Sequence, residues 1–416
     1  MLPACATRGQ SRSIEVRIAF LTHEPFHPPS GGGSAEAIYL VQEMVRRGHD
    51  VHLFCPAFAD AGDVAKRFEI QVHLFTAWQM GRYTSLRNFK YLAYPVLLQR
   101  MVERASRTVR FDVVLSQHAI SAVAAGRLKQ RLRVPVVMNF LDYLTGFMET
   151  WPRYVAPRSV IKALERFELS IPNRYQADGL MTVSDTLADY FASAGYSRER
   201  ILPIYYGYDA KLFSLDENHS AMAENPPVVV MHGSFDHHHL GDIALEAMRR
   251  VAASRPDVRF RFVGKETATL TKFRRRALSA VPDLRIESTG FVPYSQVADH
   301  LRRASVGMVP YEESTGTHCA FVAKIVEYLG VGLPVVSTPL NSASRYFGNE
   351  PAVRFAGFDG ESFGRRILGW LDEPIERRRK LGLAASERVQ RDLDWEVIRK
   401  KAIAFVEKIQ QQQGCR

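Results

Sequence analysis

Apolar runs that end in glycine-containing turns alternate with longer segments of helical periodicity along this chain. The run at 16–22 predicts a strand, residues 34–47 repeat apolar side chains at helical spacing, and the run at 50–55 predicts the next strand. A loop with three consecutive glycines joins the first strand to the helix. A strand–helix–strand unit of this kind predicts two parallel strands joined by a right-handed crossover.

The second half of the chain repeats this unit, with a strand at 227–232, a helix at 242–253 and a strand at 258–263. Other short apolar runs predict buried strands at 113–116, 135–139, 179–183, 201–204, 284–286, 306–309 and 334–337. Because strands alternate with helices in both halves, the sequence predicts an α/β fold with parallel sheets.

The chain has 416 residues, more than one core usually serves, so two domains are expected. A polar stretch that ends in Asn-Pro-Pro predicts a linker between them, and an amphipathic stretch near the end predicts a final helix. The sequence predicts a disordered extension at 1–15, an N-terminal domain at 16–213, a linker at 214–226, a C-terminal domain at 227–390 and a C-terminal helix at 391–416.

Composition narrows the class of protein. Hydrophobic residues make up 46% and charged residues 24%, which is ordinary for a folded protein, and hydropathy predicts no membrane span. Residues 1–15 lack the apolar core of a signal peptide, so we expect a cytoplasmic protein. The cysteines Cys5, Cys55, Cys319 and Cys415 are scattered, which favours reduced thiols.

The formal net charge of +11 suits a nucleoside diphosphate, an anionic lipid headgroup or a nucleic acid, and it also serves general solubility. The sequence carries no helix-turn-helix, zinc-finger or RNA-binding signature, so nucleic acid is not an expected partner. Residues 78–107 mix aromatic and cationic side chains. Such a segment either docks on an anionic bilayer, here the inner face of the membrane, or forms an ordinary amphipathic helix pair.

The most informative motif places Lys324 and Glu327 one helical turn apart, followed by Gly330, Gly332 and Pro334, which end the helix. A cation and a carboxylate side by side near a helix start suit a diphosphate and a sugar hydroxyl. The alternative is a solvated helix pair, worth about 0.2–0.5 kcal/mol. The stretch resembles the donor-site signature of GT-B glycosyltransferases, which use nucleotide sugars.

The resemblance extends over roughly residues 16–400 and includes the large group called family four. It implies two Rossmann-like domains whose parallel sheets face a cleft, with the C-terminal helix crossing back onto the first domain. In this fold the first domain binds the acceptor and the second binds the nucleotide sugar. Lys324 would then neutralise a donor phosphate, and Glu327 would accept hydrogen bonds from the nucleotide ribose.

Glycine segments of both halves are further candidate donor contacts. Gly32 and Gly33 open the first unit, where backbone amides can approach a phosphate or a sugar, although a tight turn without ligand has the same pattern. In the second half, Gly233 and Ser234 follow a strand, and Ser234 stands where the family often carries an arginine. We therefore expect Gly32, Gly33, Gly233 and Ser234 at the donor site.

Three histidines, 237–239, stand where the family often carries a lysine, and His239 is a candidate donor contact. Adjacent histidines rarely bind one metal ion, so no metal site is predicted and the nucleotide sugar is the only co-substrate expected. The alternative is that the three histidines are exposed loop residues without a functional role. By resemblance, Val292 supplies backbone groups to the base. Residues 312–318 are predicted to form a loop before the Lys324 helix, where amides and hydroxyls would meet phosphate, which adds Thr315, Gly316, Thr317 and His318.

One departure bears on the stereochemistry. Retaining family-four enzymes usually carry two glutamates eight positions apart, and Cys319 stands at the earlier position here. The lysine–glutamate motif also resembles xanthan-type glucuronosyltransferases, which use an aspartate base in the first domain. Asp142 and His118 each follow a predicted parallel strand and are candidate general bases, with capping or core roles as the alternative. Retention and inversion both stay open.

The sequence thus predicts a glycosyltransferase that moves a sugar from a nucleoside-diphosphate sugar to a hydroxyl acceptor. A lipid-linked saccharide in polysaccharide or glycoconjugate synthesis is the candidate acceptor. The leaving diphosphate would be stabilised by Lys324 and backbone amides rather than by a metal. The alternatives are transfer to a small soluble metabolite, a sugar epimerase or phosphorylase of the same fold, and a non-catalytic subunit that binds sugar nucleotides.

Overall fold

A computed structural model of the protein describes residues 16–29, 32–76, 87–150, 157–215 and 224–414. These residues form two sheets flanked by helices, and every strand pair whose register is resolved is parallel. The predicted α/β class with parallel sheets is therefore confirmed.

The first sheet has seven strands in the order β3-β2-β1-β4-β5-β6-β7. Their bounds are β1 (Arg17–Thr22), β2 (Asp50–Pro56), β3 (Gln71–Phe75), β4 (Val113–Gln117), β5 (Val136–Phe140), β6 (Gly179–Thr182) and β7 (Ile201–Pro203). The order reverses between β1 and β4, and in doubly wound sheets ligands bind outside the carboxyl ends of the strands at such a point.

The second sheet has six strands in the order β10-β9-β8-β11-β12-β13. Their bounds are β8 (Val228–His232), β9 (Arg259–Val263), β10 (Arg285–Ser288), β11 (Val306–Val309), β12 (Val335–Ser337) and β13 (Val353–Phe355). This sheet repeats the logic of the first, with its reversal between β8 and β11. The carboxyl ends of β8 and β11 are therefore a second candidate ligand edge.

In the described residues the helices are α1 (Gly32–Arg46), α2 (Ala61–Phe68), α3 (Arg87–Ala105), α4 (His118–Leu132), α5 (Leu144–Phe147), α6 (Arg158–Arg174), α7 (Asp185–Ser193), α8 (Asp242–Ser254), α9 (Ala268–Ala280), α10 (Tyr294–Arg302), α11 (Thr315–Cys319), α12 (Ala323–Gly330), α13 (Asn341–Phe347), α14 (Gly360–Leu371), α15 (Ile375–Leu393) and α16 (Trp395–Gly414). Short 3-10 helices cover Met148–Thr150 and Arg198–Arg200.

Burial follows the predicted pattern of apolar strands. All five residues of β4, β5 and β8 are buried, as expected for strands covered by helices on both faces. A core of the second sheet joins Val229 and Met231 of β8 to Phe260 and Phe262 of β9, and Trp370 of α14 closes it. These buried strands fix the carboxyl-end loops that follow them.

Internal contacts divide the chain into two units. One contains the described parts of Met1–Asn139, Tyr175–Gly179 and Ile403–Arg416, and the other contains those of Phe140–Arg174 and Leu180–Ala402. The predicted domain boundaries stay predictions, and residues 1–15 and 216–223 lie outside the described residues. In the first unit, Glu407 of α16 is bonded by Arg47 at 2.6 Å and by His49 at 2.9 Å.

Candidate functional site

Glu327 of α12 is buried and bonded on both oxygens by side chains from other elements. His232, the last residue of β8, brings Nε2 within 2.5 Å of Glu327 Oε2. The hydroxyl of Tyr294, the first residue of α10, donates to Glu327 Oε1 at 2.7 Å. A carboxylate held in this way has one orientation, so the solvated helix pair considered from the sequence does not describe Glu327.

Lys324 lies in the first turn of α12, as predicted, and is half-buried. Its Nζ donates to the Tyr311 hydroxyl at 3.0 Å. Its side chain also lies against Gly233, where an added Cβ would be 3.2 Å from Lys324 Cε. Gly233 has a φ of +101°, a conformation that favours glycine, so the turn after β8 can pass close to the lysine.

His238 and His239, in the turn after β8, lie near this lysine, and burial favours the neutral form of both imidazoles. Burial lowers the pKa of His238 to about 4; Asp236 opposes the shift, and Lys324 and His237 add to it. Burial, with Lys324 and His238, also lowers the pKa of His239 well below its ordinary value. His239 Nδ1 accepts from the Asp236 amide at 3.2 Å, so this buried imidazole supports the turn, whereas Ser234 is exposed.

The predicted base-binding segment adjoins Glu327 through Tyr294. Gly290 has a φ of +72° and forms an isolated bridge with Gly264. Val292 is half-buried, and Phe291 before it is exposed. The structure therefore brings Gly233, Lys324 and Glu327 together, with the 290–294 segment beside them.

The residues 315–318 were predicted to lie in a loop before the Lys324 helix, and this prediction is wrong because they form α11 themselves. Ser314 caps α11: its hydroxyl accepts from the Thr317 amide at 3.1 Å, and the Thr317 hydroxyl accepts from the Ser314 amide at 2.9 Å. The Thr317 side chain is thus buried in the cap. His318 Nδ1 accepts from the Asn341 amide at 3.1 Å.

Thr315 and Gly316 contact the segment that follows β5. Glu149 accepts from the Thr315 amide at 2.8 Å and from its hydroxyl at 2.9 Å. An added Cβ on Gly316 would be 2.4 Å from the Phe147 amide nitrogen, so α5 and α11 pack backbone against backbone. The Glu149 carboxylate therefore accepts from the Thr315 amide, which was predicted to bind phosphate.

In the first unit, His118 and Gly33 lie together at the reversal point of the sheet. His118 begins α4 directly after β4 and has a φ of +67°, which is uncommon for a residue other than glycine and is found at functional sites. Its Nε2 is 3.7 Å from Glu24 Oε2. An added Cβ on Gly33 would be 2.5 Å from Glu24 Oε2 and 2.6 Å from His118 Nε2, so a larger residue there would displace one or both side chains.

Two buried amides fasten α1 to the same edge. Gln117 Nε2 donates to the Gly33 carbonyl at 2.9 Å, and Asn139 Nδ2 donates to Glu36 Oε1 at 2.8 Å. Gln117 ends β4, and Asn139 lies one residue before the end of β5. Sequence reasoning missed both, although an amide that closes an apolar strand is a detectable signal.

Asp142 is exposed and lies two residues after β5, as the sequence predicted. Behind it, the buried Glu168 of α6 accepts from the amides of Leu144 and Thr145 at 3.0 and 2.9 Å and from the Thr145 hydroxyl at 2.6 Å. Burial raises the pKa of Glu168 to about 7 despite these bonds, and Asp142 adds to the increase. Sequence reasoning missed Glu168.

Among the described residues, no group of three or more His, Cys, Asp or Glu side chains could hold a metal ion. The helices within the described ranges are all too short or too polar to cross a bilayer. The described cysteines, Cys55 and Cys319, are both buried and reduced, and burial raises the pKa of each thiol.

Comparisons with known proteins agree with this arrangement. Residues 31–207 match the model of the glycosyl transferase 4-like domain, and residues 226–373 match that of the glycosyl transferases group 1. TuaH of Bacillus subtilis (strain 168), named as a glycosyltransferase of teichuronic acid biosynthesis, is 27% identical over 190 residues, 44% of this chain and 45% of that protein. The chain thus matches a little under half the length of this curated relative.

Solved structures share the fold. Sucrose-phosphate synthase from Thermosynechococcus elongatus has a TM-score of 0.76 at 16% identity, over 95% of this chain and 99% of that chain. HepE from Anabaena in complex with UDP-glucose has a TM-score of 0.71 at 17% identity, over 95% of this chain and 100% of that chain. The two parallel sheets and these structural matches define a GT-B fold. The chain belongs to the glycosyltransferases of the family-four and group 1 type.

Proposed function

We propose that this enzyme transfers a glycosyl group from a nucleoside-diphosphate sugar bound at the carboxyl edge of the second sheet. The observation that carries the proposal is the orientation of Glu327, bonded by His232 and Tyr294 one turn from Lys324. A carboxylate fixed in this way suits the hydroxyls of a ribose, and a half-buried ammonium suits phosphate.

The donor roles follow from the surroundings of each group. Lys324 lies against Gly233, where the lack of a side chain leaves room for a diphosphate to approach the ammonium. Gly32 and Gly33 at the start of α1 would contribute amides. Val292 and Ser234 stay candidate contacts of the base and the phosphate. The proposed roles of Thr315, Gly316, Thr317, His318 and His239 require that the bonds described above rearrange or that these residues act through neighbours.

The acceptor hydroxyl must lose a proton during transfer, and two groups are candidates to receive it. Asp142 is an exposed carboxylate just beyond β5. His118 is strained at the start of α4 and lies near Glu24, which can orient its ring. We propose Asp142 as the general base and His118 as its rival. A general base typically raises the rate of the reaction by about 10²–10⁴-fold.

The relatives suggest the substrates. HepE is crystallised with UDP and with UDP-glucose, so a UDP-sugar is the proposed donor. TuaH is named for teichuronic acid biosynthesis, so a saccharide acceptor of polysaccharide synthesis, carried on a lipid, is proposed. Transfer to a small soluble metabolite and a non-catalytic role stay alternatives.

We further propose that the protein binds anionic membrane surfaces, where a lipid-linked acceptor would lie. Residues 78–91 of the predicted 78–107 face, including Trp78 and Tyr83, lie outside the described residues or side chains, but Leu92 of α3 is 74% exposed. On α6, Val160, Leu164 and Phe167 are exposed to 48%, 40% and 38% at helical spacing, and Arg158, Lys162 and Arg166 are exposed on the same helix. An apolar stripe beside cations is typical of a surface that docks on anionic lipid.

A thermal-shift panel tests the donor, because a ligand that binds only the folded protein raises its unfolding temperature. UDP and UDP-glucose should raise the midpoint, whereas AMP at the same concentration should not. Turnover of UDP-glucose should persist after chelation, since Lys324 and backbone amides are proposed to stabilise the leaving diphosphate. If activity disappears with chelator and returns with added Mg²⁺ or Mn²⁺, the metal-independent mechanism is wrong.

A further inference from the structure

Glu168 is a buried carboxyl group for which the proposed reaction has no use. It lies on the inner face of α6, with 3% of its surface exposed. Its oxygens accept three hydrogen bonds, two from backbone amides and one from a hydroxyl, and all three donors belong to Leu144 and Thr145. These residues begin α5, so the carboxyl group holds the start of that helix.

The segment held by Glu168 is also fastened at its other end. Gly146 of α5 packs on Gly316 of α11, where an added Cβ would lie 2.5 Å from the Gly316 amide nitrogen. Glu149 then binds the amide and hydroxyl of Thr315. Residues 142–149 therefore form a strap between α6 and α11, and Asp142 is the first residue of this strap.

We propose that Glu168 is a positioning residue that fixes the 142–149 strap, and with it Asp142, for glycosyl transfer. The proposal rests on the proposed function, in which Asp142 receives the proton of the acceptor. Glu168 itself touches no substrate in this account. Its contribution is to keep the exposed carboxylate in one place, because a base must lie within hydrogen-bond reach of the hydroxyl it deprotonates.

The strap is set among acidic and neutral groups. Those that face it from α6, α7, α11 and the strap itself are Asp142, Tyr143, Glu149, Glu165, Tyr190 and Cys319. The other acids of α7, Asp185 and Asp189, bind Arg198 and Arg345. Lys162 and Arg166 lie on exposed positions of α6. Burial, with Asp142, raises the pKa of Glu168 and so favours its protonated form, against the hydrogen bonds from Leu144 and Thr145.

The sign of the pH effect follows from linkage. Burial raises the pKa of Glu168 from 4.5 to about 7 in the closed strap, whereas an open strap would expose the group and restore its ordinary pKa. The closed strap therefore binds the proton more tightly. The stability that this proton gives to the closed strap is fully present below pH 4.5. It falls as the pH rises towards 7 and is lowest above pH 7.

Hydrogen–deuterium exchange of the full-length protein tests the strap without any substrate. After correction for intrinsic exchange rates, protection of the Leu144 and Thr145 amides should fall by up to about tenfold per pH unit between pH 5 and 7. Glu168→Gln keeps the shape and cannot ionise, so its protection should not change with pH in this window. Glu376→Gln, at an exposed position of α15 outside the strap, is the control and should behave as wild type.

Turnover of UDP-glucose tests the positioning role. Glu168→Ala should lower kcat at least tenfold with KM for the donor within about twofold, and Glu168→Gln should restore most of kcat at pH 6. Thr145→Val, which removes the hydroxyl donor, provides a milder variant if Glu168→Ala does not fold. If exchange in the strap is the same in Glu168→Gln as in wild type at every pH, the proposal is wrong.

Failure of the proposed donor can be distinguished from failure of the positioning role of Glu168. A wild-type protein that neither binds nor turns over UDP-glucose contradicts the proposed donor, while the exchange experiment still decides whether Glu168 holds the strap. An exchange effect in Glu168→Ala or Thr145→Val without any loss of kcat in an active enzyme would overturn the positioning role.

Discussion

At the scale of residues, the surroundings of each side chain decide which chemistry it can perform. Histidines follow or end strands in both sheets, but their partners differ. His232 is bonded to the buried Glu327, whereas His118 has a strained backbone and lies near Glu24. The first arrangement holds a carboxylate in one orientation, and the second places an imidazole at the reversal point of the first sheet.

Substitution at Asp142 and His118 distinguishes the two candidate bases. Asp142→Asn should lower turnover by about 10²–10⁴-fold with donor affinity nearly unchanged, because a general base acts on the transition state. His118→Ala should lower turnover less. The measurement is steady-state transfer from UDP-glucose, with UDP affinity determined separately.

The opposite pattern, near-normal turnover in Asp142→Asn and none in His118→Ala, would reverse the roles. If neither substitution lowers turnover, the proton passes to the donor phosphate in a retaining reaction, and Asp142 is not a base.

At the scale of elements, the sequence predicted those parts that depend on local pattern. The strands β4, β5 and β8 are continuous apolar runs, and α12 with its terminal glycines was predicted from local spacing. β3 was not predicted, because its sequence Gln-Val-His-Leu-Phe mixes polar residues into a partly exposed strand. β13 was not predicted either, because an arginine interrupts its short apolar run, Val-Arg-Phe.

The candidate site was likewise predicted only where its residues are close together in the sequence. Lys324 and Glu327 are neighbours on one helix turn, so their spacing was visible in the sequence. The partner of Glu327, His232, lies 95 positions away, and no local pattern encodes that contact. α11 was predicted as a loop because its glycine and threonines are poor helix formers. The reciprocal cap between Ser314 and Thr317 overrides that propensity.

The packing of α5 on α11 predicts a strong effect of one methyl group. Gly146→Ala should lower the free energy of unfolding by about 1–3 kcal/mol, because its Cβ would overlap the Gly316 backbone, which cannot move aside as a flexible side chain can. The midpoint of urea denaturation measures this change.

Gly62→Ala in α2 is the matched control, since nothing lies within 4 Å of its Cβ and alanine favours a helix. It should raise the midpoint slightly. An unchanged midpoint in Gly146→Ala would show that the two helices are not in backbone contact.

At the scale of the whole molecule, the net charge of +11 and the exposed apolar stripe of α6 support the proposed docking on anionic lipid. Co-sedimentation with vesicles that contain anionic phosphatidylglycerol should be strong at low salt. It should weaken as salt is added, because charges beyond about 10 Å are screened at 0.1 M. Vesicles of phosphatidylcholine alone should bind weakly.

The double substitution Leu164→Glu and Phe167→Glu should reduce this binding severalfold, since it places two negative charges on the proposed docking face. Leu383→Glu, at an exposed apolar position of α15, is the control and should bind as wild type. Equal binding by all three proteins would exclude α6 as the docking surface. A lack of binding by the wild type would favour a soluble acceptor.

The central claim is that a nucleotide sugar binds at the Lys324–Glu327 pair, and calorimetric titration with UDP tests it most directly. Lys324→Ala and Glu327→Gln should each weaken UDP binding by roughly tenfold or more, as expected for lost bonds to charged groups of about 1.5–3 kcal/mol. Lys272→Ala, an exposed lysine of α9, should bind UDP as wild type does. Unchanged UDP affinity in both Lys324→Ala and Glu327→Gln, with the fold intact, would contradict the account.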